Sequence, residues 1–305
     1  MRRIVFASGK GGTGKTTMTA LAAHFAAADG ATLVLADCDV EAANLPIALQ
    51  ATDAVCKPFA GGAKAVIDPE RCRGCAACVP VCRFDAIAPA DDFYRTRAYA
   101  VDPWACEGCT ACVPACSDGA IRMEPTQAGE ACVATLRIGP LAFGRLAPGE
   151  DLSGKLVTEV RNTADAHAAE ADAGLLLIDG PPGVGCPAIA SITNTDLVVA
   201  VTEPTLSGEH DLLRLVTLAR RLGVPVAVVL NKADLSAEGA ARIRTRVAAE
   251  GLVLAGELPF DPELADTLGR LASGTATGIL TGPGIVAARD AWRRIVATVG
   301  EPEVA

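Results

Sequence analysis

No apolar run in this 305-residue chain approaches the roughly 20 residues that a membrane-spanning helix requires, although half of its residues are apolar and its mean hydropathy is +0.33. That combination predicts buried cores, and the length predicts about two domains. The chain also lacks an excess of positive charge. Its 36 acidic and 27 basic residues are interspersed and leave a formal net charge of -9, which argues against sequence-independent nucleic-acid binding. Histidine is scarce, and His24, His167 and His210 show no ligand spacing, so they read as surface or helix residues. Met1-Arg2-Arg3-Ile4-Val5 runs directly towards a glycine-rich loop and leaves no room for a signal peptide, so a cytoplasmic location is expected.

What the chain does have is a rhythm of apolar runs ending in polar or glycine residues. Ile4-Val5-Phe6-Ala7 precedes Gly9-Lys10-Gly11-Gly12-Thr13-Gly14-Lys15-Thr16, and Met18 to Ala28 has helix-forming composition. Ala31 to Ala36 ends at Asp37-Cys38-Asp39, and Leu175-Leu176-Leu177-Ile178 ends at Asp179-Gly180-Pro181-Pro182-Gly183. Leu197 to Val201 precedes Thr202-Glu203-Pro204, and Val224 to Leu230 precedes Asn231-Lys232-Ala233-Asp234. Helical stretches separate most of these runs. The pattern predicts an α/β fold with a mostly parallel sheet flanked by helices and a ligand site outside the strand ends.

Between Ala54 and about Pro125 the rhythm stops, and eight of the chain's twelve cysteines fall there in two matched runs: Cys72, Cys75, Cys78, Cys82 and Cys106, Cys109, Cys112, Cys116. A shift of 34 residues superposes Asp68-Pro69, Gly74-Cys75, Ala77-Cys78-Val79-Pro80 and Ala86-Ile87 on Asp102-Pro103, Gly108-Cys109, Ala111-Cys112-Val113-Pro114 and Ala120-Ile121. This is a duplicated half-module. Because the sheet pattern resumes afterwards, residues 56–125 read as an insert, and residues 1–55 with 126–305 as the discontinuous host domain. Four-thiolate sets suit zinc or iron–sulfur clusters, but zinc sites usually use separated C-x2-C pairs, whereas this C-x2-C-x2-C-x3-C spacing favours clusters. The module resembles bacterial two-cluster ferredoxins, a small α+β fold. That resemblance implies one [4Fe-4S] cluster on Cys72, Cys75, Cys78 and Cys116, and a second on Cys106, Cys109, Cys112 and Cys82. Arg83 and Ser117 follow the fourth cysteines, where that family commonly has proline.

A glycine-rich loop between strand and helix presents backbone N–H groups to phosphate, with Lys15 reaching the β/γ-phosphates and Thr16 a magnesium ion. The form of the loop resembles the deviant Walker A motif of the MinD/ParA ATPases, a group that includes the nitrogenase iron protein and Mrp-type cluster carriers. The resemblance implies ATP and Mg²⁺ as ligands, cradled by Gly11, Gly12, Thr13, Gly14, Lys15, Thr16 and Thr17. It also implies a homodimer in which Lys10 reaches the partner's phosphates, Asp39 positions the attacking water, and Asp37 and Asp179 serve the magnesium site. Asn231 and the loop Pro259-Phe260-Asp261 would contact adenine. Asn231-Lys232-Ala233-Asp234 also matches the guanine-reading sequence of GTPases, and the rest of the chain favours ATP.

Cys38, Cys56 and Cys132 read as small buried hydrophobes. Cys186 follows Asp179 by seven residues, an offset similar to that of a cluster ligand in the nitrogenase iron protein, but no cysteine between Ala142 and Cys186 supplies the second ligand. Ile285 to Val299 is expected to form a helix packed on the sheet, ahead of the acidic Glu301-Pro302-Glu303. Three functions are expected of such a chain: ATP-gated electron transfer to a redox partner, ATP-dependent carriage or maturation of metal clusters, or spatial organisation with structural clusters.

Overall fold

A computed structural model describes residues 1–274 and 282–300. In chain order the elements are β1 (Arg2–Ser8), α1 (Lys15–Ala28), β2 (Leu33–Asp37), α2 (Leu45–Ala48), β3 (Val55–Ile67), β4 (Ile87–Pro89), α3 (Phe93–Thr96), β5 (Tyr99–Val101) and α4 (Cys112–Ala115). There follow β6 (Ile121–Leu136), β7 (Gly139–Leu146), α5 (Ser153–Glu170), β8 (Leu175–Pro182), α6 (Cys186–Ile192), β9 (Leu197–Thr202), α7 (Leu206–Arg221) and β10 (Val226–Leu230). A 3₁₀ turn at Ala233–Leu235 leads to α8 (Ala237–Ala249), β11 (Val253–Glu257), α9 (Leu264–Ala272) and α10 (Pro283–Val299). Glu301-Pro302-Glu303 lies outside the described residues.

Contacts divide the chain into two units: Met1–Lys57 with Glu130–Leu146 and Ser153 onwards, and Pro58–Gly129 with Ala147–Leu152. The second unit thus starts and ends a few residues later than residues 56–125, and it recruits six residues from the loop after β7. Strands β3 and β6 cause the shift, because each is long enough to begin in one unit and finish in the other.

In unit 1 the strand order is β11-β10-β9-β1-β8-β2-β7-β6-β3. β1 pairs in parallel with both β8 and β9, β2 with β8 and β7, and β10 with β9 and β11. The central strands are buried along their length: Leu33–Asp37 and Val226–Leu230 are buried at every residue, as near-continuous apolar runs require when helices cover both faces. Helix α10 packs Ile285, Ala288, Ala291, Trp292 and Ile295 into this core. The sequence rhythm does not reveal β3, β6, β7 or β11. In β6 buried and exposed residues mix around Gly129, so no apolar run marks it.

Register positions the site. Asp37 and Phe6 both lie opposite Asp179, and Leu230 lies opposite Thr202, so the C-terminal ends of β1, β2, β8, β9 and β10 fall at one edge. Strand order reverses about β1, whose two neighbours come from far later in the chain, and a crevice forms at such a point.

Unit 2 carries the 34-residue repeat in its backbone. Gly74, Ala76 and Asp85 have positive φ (72°, 62° and 50°), and so do Gly108, Thr110 and Gly119 (64°, 64° and 60°). Gly74 is required on two counts, since a Cβ there would also collide with the Arg97 carbonyl oxygen. The halves exchange hydrogen bonds: Asp68 N donates to Ala120 O at 2.8 Å and Asp102 N to Ala86 O at 2.7 Å. Strands β4 and β5 form a small antiparallel pair with Ile87 opposite Val101.

Candidate functional site

The phosphate loop turns left-handed at Gly12 (φ 79°) and Gly14 (φ 89°), and α1 begins at Lys15 with no side chain capping its N-terminus. Gly11 and Gly12 face open space, whereas the loop's other side rests on Asn231, whose Nδ2 occupies the place a Gly14 Cβ would need. The Thr13 hydroxyl is buried with no hydrogen-bond partner. Uncapped N–H groups, an open glycine face and an orphaned hydroxyl are what an anionic phosphate would satisfy.

Asp179, completely buried at the end of β8, organises the centre. It accepts hydrogen bonds from Lys15 Nζ at 3.2 Å, Thr16 Oγ1 at 2.6 Å and Thr19 Oγ1 at 3.1 Å. Lys15 also lies 3.9 Å from Asp39. Burial alone would lower the Lys15 pKa, but the carboxylates of Asp179, Asp39 and Asp37 outweigh it and raise it. Lys15 is therefore a secured cation. Burial raises the Asp39 carboxyl from its ordinary value, against the pull of Lys15. Thr16 and Asp179 provide the oxygen donors that Mg²⁺ favours, and both fit such an ion.

Asp37 bonds to the backbone on both of its oxygens. Its Oδ1 accepts from Asp39 N at 3.0 Å and its Oδ2 from Leu45 N at 2.9 Å, so both oxygens hold the loop between β2 and α2. Burial and the neighbouring Asp179 charge push its carboxyl well above the usual range.

Lys10 sits in a clamp within its own chain: its Nζ lies 3.1 Å from Glu203, 3.2 Å from Ser207 Oγ and 3.5 Å from Thr205 Oγ1. Glu203 also binds Lys232 at 2.5 Å, and Lys232 donates to Gly12 O at 3.1 Å. Burial pushes Glu203 up, but hydrogen bonds from Lys232 and Lys10 prevail and hold it below the usual range. Sequence reasoning missed Glu203 and Lys232 as site residues. The available signal was their place, immediately after two apolar strands in a parallel sheet.

The base-contact residues serve as supports in this structure. Asn231 donates from Nδ2 to Thr13 O at 2.8 Å and accepts from Lys232 N at 3.0 Å. Asp234 accepts from Phe260 N on Oδ1 at 2.7 Å, which holds the Pro259-Phe260-Asp261 loop. Asp261 accepts from Glu263 N at 3.0 Å and from Gly284 N at 3.2 Å.

In unit 2 the eight cysteines gather around two small concavities of equal size, each about 20 Å³. Cys72, Cys75, Cys78 and Cys116 line one, with Ile67 and Ile121; Cys106, Cys109, Cys112 and Cys82 line the other, with Ile87 and Met123. Each set joins three thiols of one run to the fourth of the other. The fourth cysteines have matching donors: Ala86 N reaches Cys82 Sγ at 3.4 Å, and Ala120 N reaches Cys116 Sγ at 3.3 Å. Four thiols around an apolar hollow are a donor set that fits an iron–sulfur cluster. Burial pushes the thiols of Cys78 and Cys112 up, and the neighbouring thiols add to it, which favours the neutral form of both.

The four other cysteines divide three ways. Cys38 is completely buried, which pushes its thiol up and leaves it inert. Cys56 and Cys132 correct the free-cysteine expectation, because they form a disulfide. They lie 76 residues apart in the sequence on β3 and β6, so only the pairing of two strands that no apolar run marks could have disclosed it. Cys186 is exposed at the first turn of α6.

The same architecture recurs in known proteins. The family model of the CobQ/CobB/MinD/ParA nucleotide binding domain matches residues 4–272. An uncharacterized protein of Methanocaldococcus jannaschii, MJ0578, is 35% identical over 236 residues, covering 77% of this chain and 79% of the relative. A second from the same organism, MJ0579, is 27% identical over 262 residues, covering 77% and 82%. Among solved structures, the septum site-determining protein MinD of Pyrococcus horikoshii complexed with Mg-ADP matches with a TM-score of 0.58 at 17% identity, covering 98% of this chain and 97% of that one. The cell division ATPase MinD of Pyrococcus furiosus matches at 0.56 and 18% identity, covering 97% and 99%. At those identities the likeness is one of fold.

Proposed function

The chain belongs to the CobQ/CobB/MinD/ParA nucleotide-binding family, and from that premise we propose that it is an ATP-hydrolysing iron–sulfur protein coupling nucleotide state to electron transfer. The observation that carries this reading is the sorting of eight cysteines into two apolar hollows, each with three thiols of one run and one of the other. Cys72, Cys75, Cys78 and Cys116 would hold one [4Fe-4S] cluster, and Cys106, Cys109, Cys112 and Cys82 a second. Such clusters supply one-electron transfer, with potentials tuned by N–H···S bonds such as those from Ala86 and Ala120.

At the other site, the loop from Gly11 to Thr17 receives the phosphates of ATP. Lys15 supplies positive charge to them, and Thr16 and Asp179 hold Mg²⁺. Asp39 is placed near Lys15 to position the attacking water. Lys10 leaves Glu203, Thr205 and Ser207 to reach the phosphates of a partner protomer in a homodimer. Preorganised charge of this kind lowers a phosphoryl-transfer barrier. Support for coupling comes from Leu146 N, which donates to Val40 O at 2.8 Å. That bond ties the residue after Asp39 to the end of β7, where the chain passes into residues 147–152.

Anaerobic purification followed by EPR after strong reduction tests the reading. Two interacting paramagnetic centres per chain are expected, with a reoxidation rate that changes when ATP and Mg²⁺ are added. EPR silence after strong reduction would sink the cluster assignment; signals indifferent to nucleotide would sink the coupling.

A further inference from the structure

One pair of cysteines serves neither the nucleotide site nor the eight-cysteine module. β3 and β6 carry the chain from unit 1 into unit 2 and back, the changes falling at Lys57/Pro58 and Gly129/Glu130. Cys56 and Cys132, joined by the disulfide, stand one residue before the first change and two after the second. The bond therefore closes a loop that contains all eight module cysteines. Its two ends differ. Cys132 is 1% exposed and belongs to the main hydrophobic core, whereas Cys56 is partly buried on β3, the last strand in the sheet order. A Glu130 carboxylate oxygen lies within 4.8 Å of both sulfurs. The other ten cysteines are unpaired, so pairing is particular to these two and no general habit of the chain.

We propose that Cys56 and Cys132 are a redox-active pair, reduced by a dithiol donor, that locks or frees β3 and β6 where they leave unit 1. A thiolate of the donor attacks Cys56 Sγ, the more accessible sulfur, forming a mixed disulfide while the Cys56–Cys132 bond breaks. The released Cys132 thiolate forms beside the Glu130 carboxylate in a buried site, so it takes up a proton instead of persisting as an anion. The donor's second thiol then displaces Cys56, which also leaves as a thiol. The disulfide gains two electrons and two protons, and the dithiol becomes a cyclic disulfide. A partly accessible sulfur at Cys56 lets a donor thiolate reach the bond without unfolding, which a wholly buried disulfide would not permit. The inference does not depend on cluster occupancy.

The test is differential alkylation of the full-length native protein with peptide mass spectrometry, before and after dithiothreitol and again after oxidised glutathione. Iron content is followed in parallel. The expected result is a linked Cys56–Cys132 peptide that opens without denaturant and re-forms, together with several-fold faster tryptic cleavage within residues 58–129 in the reduced state. Cys56→Ser should match the reduced wild type; if that variant fails to fold, the chemically reduced wild type decides alone. Free thiols at both positions in the oxidised protein, a bond that opens only on denaturation, or equal cleavage in both states would each overturn the proposal.

Discussion

The nucleotide site and the cysteine module are built by opposite strategies. The first collects single residues from distant points, Lys15, Asp39, Asp179, Glu203 and Lys232, because parallel strands end at a common edge. The second is local: all eight of its cysteines lie within two short runs, and a repeated set of positive-φ turns places them. A scattered site depends on the sheet, whereas a local one depends on turns and on one exchange between halves. Damage to either should therefore leave the other chemically intact.

The most severe break is Lys15→Ala, which removes the cation facing three carboxylates. ATP turnover should fall on the order of a hundredfold or more, with iron per chain unchanged. Loss of iron in that variant would show that the two regions are not separable.

Cys116→Ser sharpens the comparison within the module. It should abolish the site lined by Cys72, Cys75 and Cys78, leave that of Cys106, Cys109, Cys112 and Cys82, and lower iron by about half with little change in basal ATP turnover. Equal loss at both sites, read by EPR, would refute the crossed ligand assignment.

A smaller effect is expected at Glu203. Its folded pKa lies below the ordinary glutamate value, so its ion pairs with Lys10 and Lys232 stabilise the fold above the ordinary range. That contribution is lost as pH falls through the lowered folded value. Glu203→Gln should cost about 1 kcal/mol at neutral pH, since the lysines are partly exposed and solvent screens the pairs. The gap from wild type, followed by denaturant melts, should close in acid. A gap independent of pH would place the effect outside these ion pairs.

The mildest change is a control for both regions. Ser236 caps α8 by accepting from Gly239 N at 3.0 Å, and Ser236→Ala should cost about 1 kcal/mol while leaving turnover and iron content at wild-type levels. A change in either activity would mean that general stability, and not the local site, governs it.

Legibility in the sequence follows the same division. The phosphate loop, the apolar strand ending at Asp179 and the cysteine repeat can be read directly, because each resides in a short contiguous motif. Asp37 is only half legible: a strand-end aspartate serves a metal or holds a loop with the same sequence, and its bonds from the Asp39 and Leu45 amides are seen only in the fold. Asn231 and Asp234 match base-contact motifs, but their side chains are engaged with the loops around them. β6 is hidden because its mixed burial leaves no continuous apolar run.

The sequence by itself determined the phosphate loop and a duplicated eight-cysteine module interrupting an α/β pattern, since spacing along the chain encodes local turns and ligand sets. Tertiary structure alone decided that Lys10 and Lys232 share Glu203, that Asp37 accepts from the Asp39 and Leu45 amides, and that Cys56 meets Cys132. Those outcomes depend on register between strands far apart in the chain, where the pairing partner is chosen by the folded sheet and not by neighbouring residues.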